Sequence, residues 1–415
     1  GGLLKPSARP SKTIVLPFAT QESYDTMLND KTAFRQLLWH FFEQNPELFP
    51  LDFQGGFHFC GMITSKKTGL IQQKIRLKSD GTTYQIRPSF MMPYMVAKTD
   101  DVEKALYLRQ WGVPFSGLTY CFGRNDMFWY RAFVSLGRNS IVGTTLKTRQ
   151  ALPEHIAVDE KHGKYFKKKV YIATTVSNHC LLGAAMCTGA GEKELTRGYR
   201  EFTDELAEVA PDFTPTTVNC DGWKATSNAM NALFPGIMVI LCFFHSWLSI
   251  RNRCRKAKEL MSSIGKKVWH VYEADTMAIF SQRLRRLREW AESELQGGTV
   301  LDKVLKLCGK RDSFKQAYYY PKAHRTSNAV DRLMDFQDRQ LHSMRGCKGL
   351  EETTRLYLRA SCLLWNFHPY QKVPEDGKSR SAFESCNGFQ YHENWLHNLL
   401  CAASLKGKRP LHKIR

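Results

Sequence analysis

The chain reads as an α/β protein built on a mixed five-stranded sheet with a helical insertion, preceded by a β-hairpin and a helix-turn-helix region. Three observations carry that reading. Residues 155–189 hold three apolar runs, HIAVDE, KVYIATTVS and CLLGAAMCTG, spaced too closely for helices between them. Two more, Thr217–Cys220 and Ile237–Phe244, each follow a helical stretch and so should lie parallel to the first strand. A long basic helical segment then separates the last strand from the amphipathic helix near Asn328.

Composition narrows the function classes. At 415 residues with 43% apolar content, nine Trp and 25 Phe, the chain can bury several cores and is not a disordered protein. A formal charge of +21 makes a polyanion the expected partner, nucleic acid first. No apolar run approaches the roughly 20 residues of a membrane span. Twelve cysteines occur with no CxxC pair, which argues against a disulfide scaffold and a zinc ribbon. Cys121, Cys187, Cys220, Cys242 and Cys362 lie in apolar stretches and are expected to be buried thiols.

Taken in order, Tyr24–Gln44 places Phe34, Leu37, Leu38, Phe41 and Phe42 at helical spacing. GLIQQKIRLKSDGTTYQIRPSF reads as a hairpin, with Ile71, Ile75 and Leu77 alternating before a Ser79-Asp80-Gly81 turn and Tyr84 and Ile86 after it. Cys60 stands alone there and cannot hold zinc. Over Asp100–Arg138, a helix ending at Trp111, the turn Gly112-Val113-Pro114, a helix over Ser116–Phe122 and a third capped by Asn125-Asp126 give a helix-turn-helix pattern. Ser116, Thr119, Arg124, Asn125 and Arg131 are its candidate DNA contacts, and an ordinary three-helix cluster would show the same turn chemistry. Ser140–Leu152 reads as a connector.

The sheet follows. KHGKYFKKK is a basic hairpin connection, and helix Glu194–Ala210 carries Leu195, Tyr199, Phe202, Leu206 and Val209 on one face until Pro211 stops it. Helix Trp223–Leu233 links the fourth and fifth strands. The order β-β-β-α-β-α-β-α is that of the ribonuclease H-like fold. Asp159 ends the first strand and Asp221 the fourth, so neighbouring strands would set the two side by side, although Asp221 also suits opening the turn or capping the next helix. Two adjacent carboxylates select a hard divalent cation. Asp331 lies one turn into the helix after the insertion. Lys161, Lys164, Lys167, Lys168, Lys169, Lys224 and Arg251 are the basic residues placed to hold phosphates.

At these positions the chain resembles the DDE/D transposase superfamily. VDE at 158–160, NCDG at 219–222 and TSNAVDR at 326–332 stand where those enzymes carry their three acids, with Asp331 where Glu is usual in insertion-sequence transposases. Cys242-Phe-Phe-His245 resembles the Cys-x-x-His motif of Mutator-like enzymes, and His245 equally suits helix capping. The resemblance spans about 155–345. It implies Asp159, Asp221 and Asp331 as catalytic metal ligands, with Glu160, Asp335 and Asp338 as fallbacks. It also implies two Mg²⁺ or Mn²⁺ ions about 3.5–4 Å apart, terminal inverted repeats and target DNA as partners, a homodimer or larger assembly, and a nucleoid-associated cytoplasmic location in a prokaryotic host. The chain then divides into an N-terminal helical segment (1–55), a β-ribbon (56–98), a helix-turn-helix region with connector (99–150), a catalytic core (151–250 and 323–366) holding a helical insertion (251–322), and a tail (367–415). A DNA-binding derivative that no longer cuts, a nuclease without strand transfer, and a basic α/β protein with three unrelated Asp residues are the alternatives.

Overall fold

The computed structural model describes residues 11–254, 256–326, 328–343, 349–370 and 381–411, with backbone alone at 328–332 and 343. It is a mixed α/β protein with a four-stranded sheet, a five-stranded sheet and many helices.

The first sheet takes β1 (Thr13–Leu16), β2 (Phe57–Thr64), β3 (Ile71–Leu77) and β4 (Thr83–Pro88) in the order β1-β4-β3-β2, with β1 parallel to β4 and the rest antiparallel. The expected hairpin is its centre, and Ile75, Leu77 and Ile86 are buried against Phe18, Tyr24, Phe34 and Phe53. The expected single helix over Tyr24–Gln44 is instead two, α1 (Gln21–Asn29) and α2 (Lys31–Gln44). Asp30 divides them, since its carboxylate accepts from the Thr32 and Ala33 N–H groups and so opens α2.

Helices α3 (Thr99–Leu108), α4 (Phe115–Phe122) and α5 (Asp126–Leu136) follow with the predicted turns. Ser140–Leu152 is more than a connector. Ser140 caps α6 (Ile141–Thr145), every residue of which is buried. Nearby, burial pushes the Lys147 ammonium down to about 7, with Glu47 opposing and Arg409 assisting. An unfolded lysine keeps its proton to about 10.5, so between those values the unfolded chain binds more protons and stability should rise with pH. Lys147→Met should flatten that rise, by up to about 1.4 kcal/mol per pH unit, in urea titrations from pH 7 to 10.

The second sheet holds β5 (His155–Tyr165), β6 (Lys168–Ser177), β7 (Cys180–Cys187), β8 (Thr217–Cys220) and β9 (Met238–Leu241) in the order β7-β6-β5-β8-β9. The first three form an antiparallel meander, and β8 and β9 run parallel to β5. The basic connection is shorter than expected, because β5 and β6 pair almost to their tip and leave only Phe166-Lys167 as the turn. Helices α7 (Glu192–Val209) and α8 (Lys224–Leu233) pack on one face of the sheet. Gly198 lets α7 approach closely, since a Cβ there would strike the Cys187 sulfur.

The chain leaves β9 directly into α9 (Phe243–Arg251), and α10 (Lys258–Tyr272), α11 (Met277–Glu294), α12 (Thr299–Gly309) and α13 (Arg311–Lys315) form a unit with its own core around Ile264, Val268, Phe280, Leu284 and Val304. Strand Ile237–Phe244 is therefore shorter than expected. Phe243 packs into this second core and begins a helix instead.

Helices α14 (Asn328–Ser343) and α15 (Glu351–Phe367) cover the other face of the sheet. The tail is less loop-rich than its sequence implies. Helices α16 (Ala382–Asn387) and α17 (Trp395–Ala402) carry buried apolar residues, among them Phe383, Leu396 and Leu399. His397 of α17 is hydrogen-bonded to Ser89 (2.9 Å) and Asp100 (3.0 Å), tying the tail to the first sheet and α3. Ser89 is fully buried, so this string of three acts as a latch and not as a nucleophile. Of the cysteines expected inside, Cys187, Cys220, Cys242 and Cys362 are buried, but Cys121 is exposed because it sits on the outer side of α4. No helix among the described residues is long and apolar enough to cross a membrane.

Candidate active site

Strand register brings the first two acids together. In the parallel β5–β8 ladder His155 faces Thr217 and Ala157 faces Asn219. Two residues further, the same register sets Asp159 beside Asp221. Asp221 follows the end of β8 as expected, but Asp159 does not end its strand, because β5 stays paired with β6 as far as Tyr165. Both acids line a cleft of about 550 Å³ with Glu160, Lys161, His162, Trp223, His245, Met334 and Asp338.

Each acid is held locally. Asp159 accepts the Glu160 N–H at 2.8 Å, and burial raises its pKa, with His245 acting against that shift and Asp221 adding to it. Asp221 accepts the Trp223 N–H at 2.8 Å, so it does open the turn into α8 while also lining the cleft. Gly222 makes that turn at φ +86°, a left-handed backbone that suits glycine.

Position 245 is in the first turn of α9, not at a strand end, and Cys242 is the residue before that helix. The ring lies 3.9 Å from the Asp159 carboxylate. Burial opposes a charge on His245, but a hydrogen bond and charge from Cys242, then Asp159 and Asp221, outweigh it and push the pKa up to about 9. The Cys-x-x-His pair thus acts as a unit in which buried Cys242 positions His245.

The remaining acids separate. Glu160 borders the cleft, but its carboxylate turns to the opposite side of the sheet, where it accepts from Tyr199 (2.7 Å) and Thr226 (2.8 Å). Burial dominates those bonds and pushes its pKa up to about 7. Asp335 is exposed and does not line the cleft. Asp338 does, and it is paired with Lys161. Asp331 is on α14, but its side chain lies outside the described residues. Helical spacing puts position 331 on the face that carries Met334 and Asp338.

The basic candidates divide in the same way. Lys164, Lys167 and Lys169 line a groove of about 1240 Å³ with Ser116, His162 and His342. The start of α4 and the β5–β6 hairpin thereby border one groove. Thr119 donates to Asp126 (2.6 Å), Asn125 caps α5 through the Phe128 N–H, and Arg124 stacks over Phe128, so three of the five helix-turn-helix candidates have local structural partners. Arg131, Lys168, Lys224 and Arg251 are exposed and do not line the cleft.

Three basic residues of the helical insertion, whose charges the sequence assigns either to a solvated face or to a phosphate track, border the site. Lys303, Lys306 and Lys310 line a cavity of about 240 Å³ with Asp221, His245, Ser246 and Ser249. Their i, i+3, i+7 spacing was visible in LDKVLKLCGK, but nothing local reveals that this face of the insertion turns toward the sheet.

Among the described residues no group of three His, Cys, Asp or Glu side chains is set to hold a metal ion. Asp159 and Asp221 supply adjacent hard oxygen donors in a partly open cleft, which suits one divalent cation with further ligands from solvent, phosphate or α14. The chain matches no family model and no curated protein sequence.

Proposed function

We propose that the chain is a metal-dependent DNA transposase of the DDE/D type with a ribonuclease H-like core. The observation that carries the reading is the register alignment of Asp159, within β5, and Asp221, just past the end of parallel β8, in a cleft bordered by lysines on two sides. The strand order β7-β6-β5-β8-β9, with an antiparallel meander and two parallel strands, is consistent with that core.

Asp159 and Asp221 would hold Mg²⁺ or Mn²⁺, with α14 supplying a further carboxylate from Asp331 or, if Lys161 releases it, from Asp338. A divalent ion held by these carboxylates would supply Lewis acidity to the attacking and leaving oxygens of an in-line phosphoryl displacement. His245, positioned by Cys242, orients Asp159. Lys303, Lys306 and Lys310 grip the strand on one side, while Lys164, Lys167 and Lys169 grip it on the other. Transposon ends and target DNA are the proposed partners, handled by a homodimer or larger assembly. In a prokaryotic host the proposed location is the nucleoid.

Replacing Lys303, Lys306 and Lys310 together by Gln should weaken DNA binding at every sequence. The slope of log affinity against log salt should become shallower by about 2.7, since each phosphate contact contributes about 0.9.

The direct test incubates the protein with inverted-repeat DNA and Mg²⁺ or Mn²⁺ and follows both strands. Nicks exposing a 3′-OH, followed by joined products, are expected. One observation favours a second reading, a DNA-binding protein that does not cut. Asp338, the described α14 carboxylate in the cleft, is already paired with Lys161. DNA binding with no nick under Mn²⁺ would establish that reading, and nicks never followed by joining would establish a nuclease.

A further inference from the structure

Beside the carboxylates runs a strip of rings with no part in metal binding. Trp223 borders the acid cleft and is 38% exposed. Its indole lies 6.1 Å from the Tyr171 ring, and Tyr171 lies 5.1 Å from His162, its cross-strand partner in the β5–β6 ladder. Lys169 sits over Tyr171 at 5.0 Å. His162 is exposed and borders both the acid cleft and the basic groove, so the rings link the two cavities.

A ring used only for packing would be buried, as Tyr199 is on the same side of the sheet. Here Trp223 and His162 are exposed and Tyr171 between them is half-buried, and lysines run beside them at Lys161, Lys164 and Lys169. Aromatic faces spaced along a positive groove are what an unpaired nucleic-acid strand binds, because bases stack on the rings while lysines meet the phosphates. A duplex offers no free base face. Its bases are already stacked on one another, so the strip would contribute nothing to duplex affinity.

We propose that Trp223, Tyr171 and His162 form a stacking track for unpaired DNA bases, leading a single strand from the basic groove to Asp159 and Asp221. This deepens the transposase reading and rests on DNA entering the acid cleft. It assigns to the site a substrate whose bases are unpaired next to the bond that is cut. Trp223 holds Asp221 only through its backbone N–H, so a side-chain change at 223 leaves that hydrogen bond available.

The test measures binding of the full chain in EDTA, which removes any dependence on cleavage. The probes are an oligothymidine of about 20 nucleotides, the same length carrying 2-aminopurine, and a blunt duplex. Trp223→Ala is expected to weaken single-strand binding about tenfold and abolish 2-aminopurine quenching, with duplex affinity changed by less than about twofold. Tyr171→Ala should act in the same direction and Trp223→Phe should restore most of the single-strand binding, and it is the loss on single strand with duplex affinity kept that a purely structural role for the indole would not predict. Unchanged single-strand affinity in both alanine variants, or equal loss on single strand and duplex, overturns the track. Because binding is read without metal, a failure of strand cleavage and a failure of the track are separate results.

Discussion

Asp221→Ala is expected to reduce DNA strand cleavage by at least about 10²–10³-fold, the loss that follows removal of even one neutral transition-state donor elsewhere. Asp159→Ala should do the same, and the double variant should be little worse than either, because residues serving one metal act as a unit. The change should not unfold the protein. Asp221 is at a strand tip, and its one described hydrogen bond, from the Trp223 N–H, contributes on the order of 1 kcal/mol. Cleavage by the purified variants, with circular dichroism to verify folding, checks the point. Full activity in both single variants would remove the site and the function proposed from it.

The largest effect on stability is expected at Arg359. Its guanidinium, 4% exposed, pairs with Glu201 and Glu205 of α7 and donates to the Gly137 (2.9 Å) and Asn139 (2.7 Å) carbonyls. Glu205 in turn accepts from Ser140 and from the Val142 N–H, both at 3.0 Å. One side chain of α15 therefore joins α7, the end of α5 and the start of α6. Arg359→Met would leave Glu205 with its Ser140 and Val142 hydrogen bonds and Glu201 with the half-exposed Arg355 at 3.3 Å, and removing one partner of a buried ion pair costs about 3–5 kcal/mol. Adding Glu201→Gln and Glu205→Gln should recover part of that loss by removing the stranded charges. Urea unfolding of the single and triple variants checks both expectations. An Arg359→Met protein as stable as the parent would show that this cluster does not hold the helices to the sheet.

Sequence legibility followed the range of the interaction involved. Period-two alternation and the Ser79-Asp80-Gly81 turn announced the hairpin because both signals lie within one stretch. Apolar runs and their separations announced β5 to β9, and the separations implied which pairs would be parallel. Errors came where a neighbour distant in sequence competed with local pattern. His245 was expected at a strand end, but Phe243 is drawn into the core of the insertion and turns the chain into α9. Residues 140–152 looked like a connector because they carry small and polar side chains, which are what a tightly packed, fully buried α6 requires.

The same division holds for the site. From the chain alone came the two strands that carry Asp159 and Asp221, since a carboxylate after an apolar run is a local fact, but not that β5 continues past Asp159 to Tyr165, which its pairing with β6 decides. Their adjacency needed only the strand order. Which acid of α14 faces them, and that Glu160 is committed to Tyr199 and Thr226, depended on how helices pack on the two faces of the sheet. So did the approach of Lys303, Lys306 and Lys310 and the alignment of Trp223 with Tyr171 and His162. Backbone periodicity tells a side chain which face of its own element it occupies. Only the packing of elements far apart in sequence decides what that face meets.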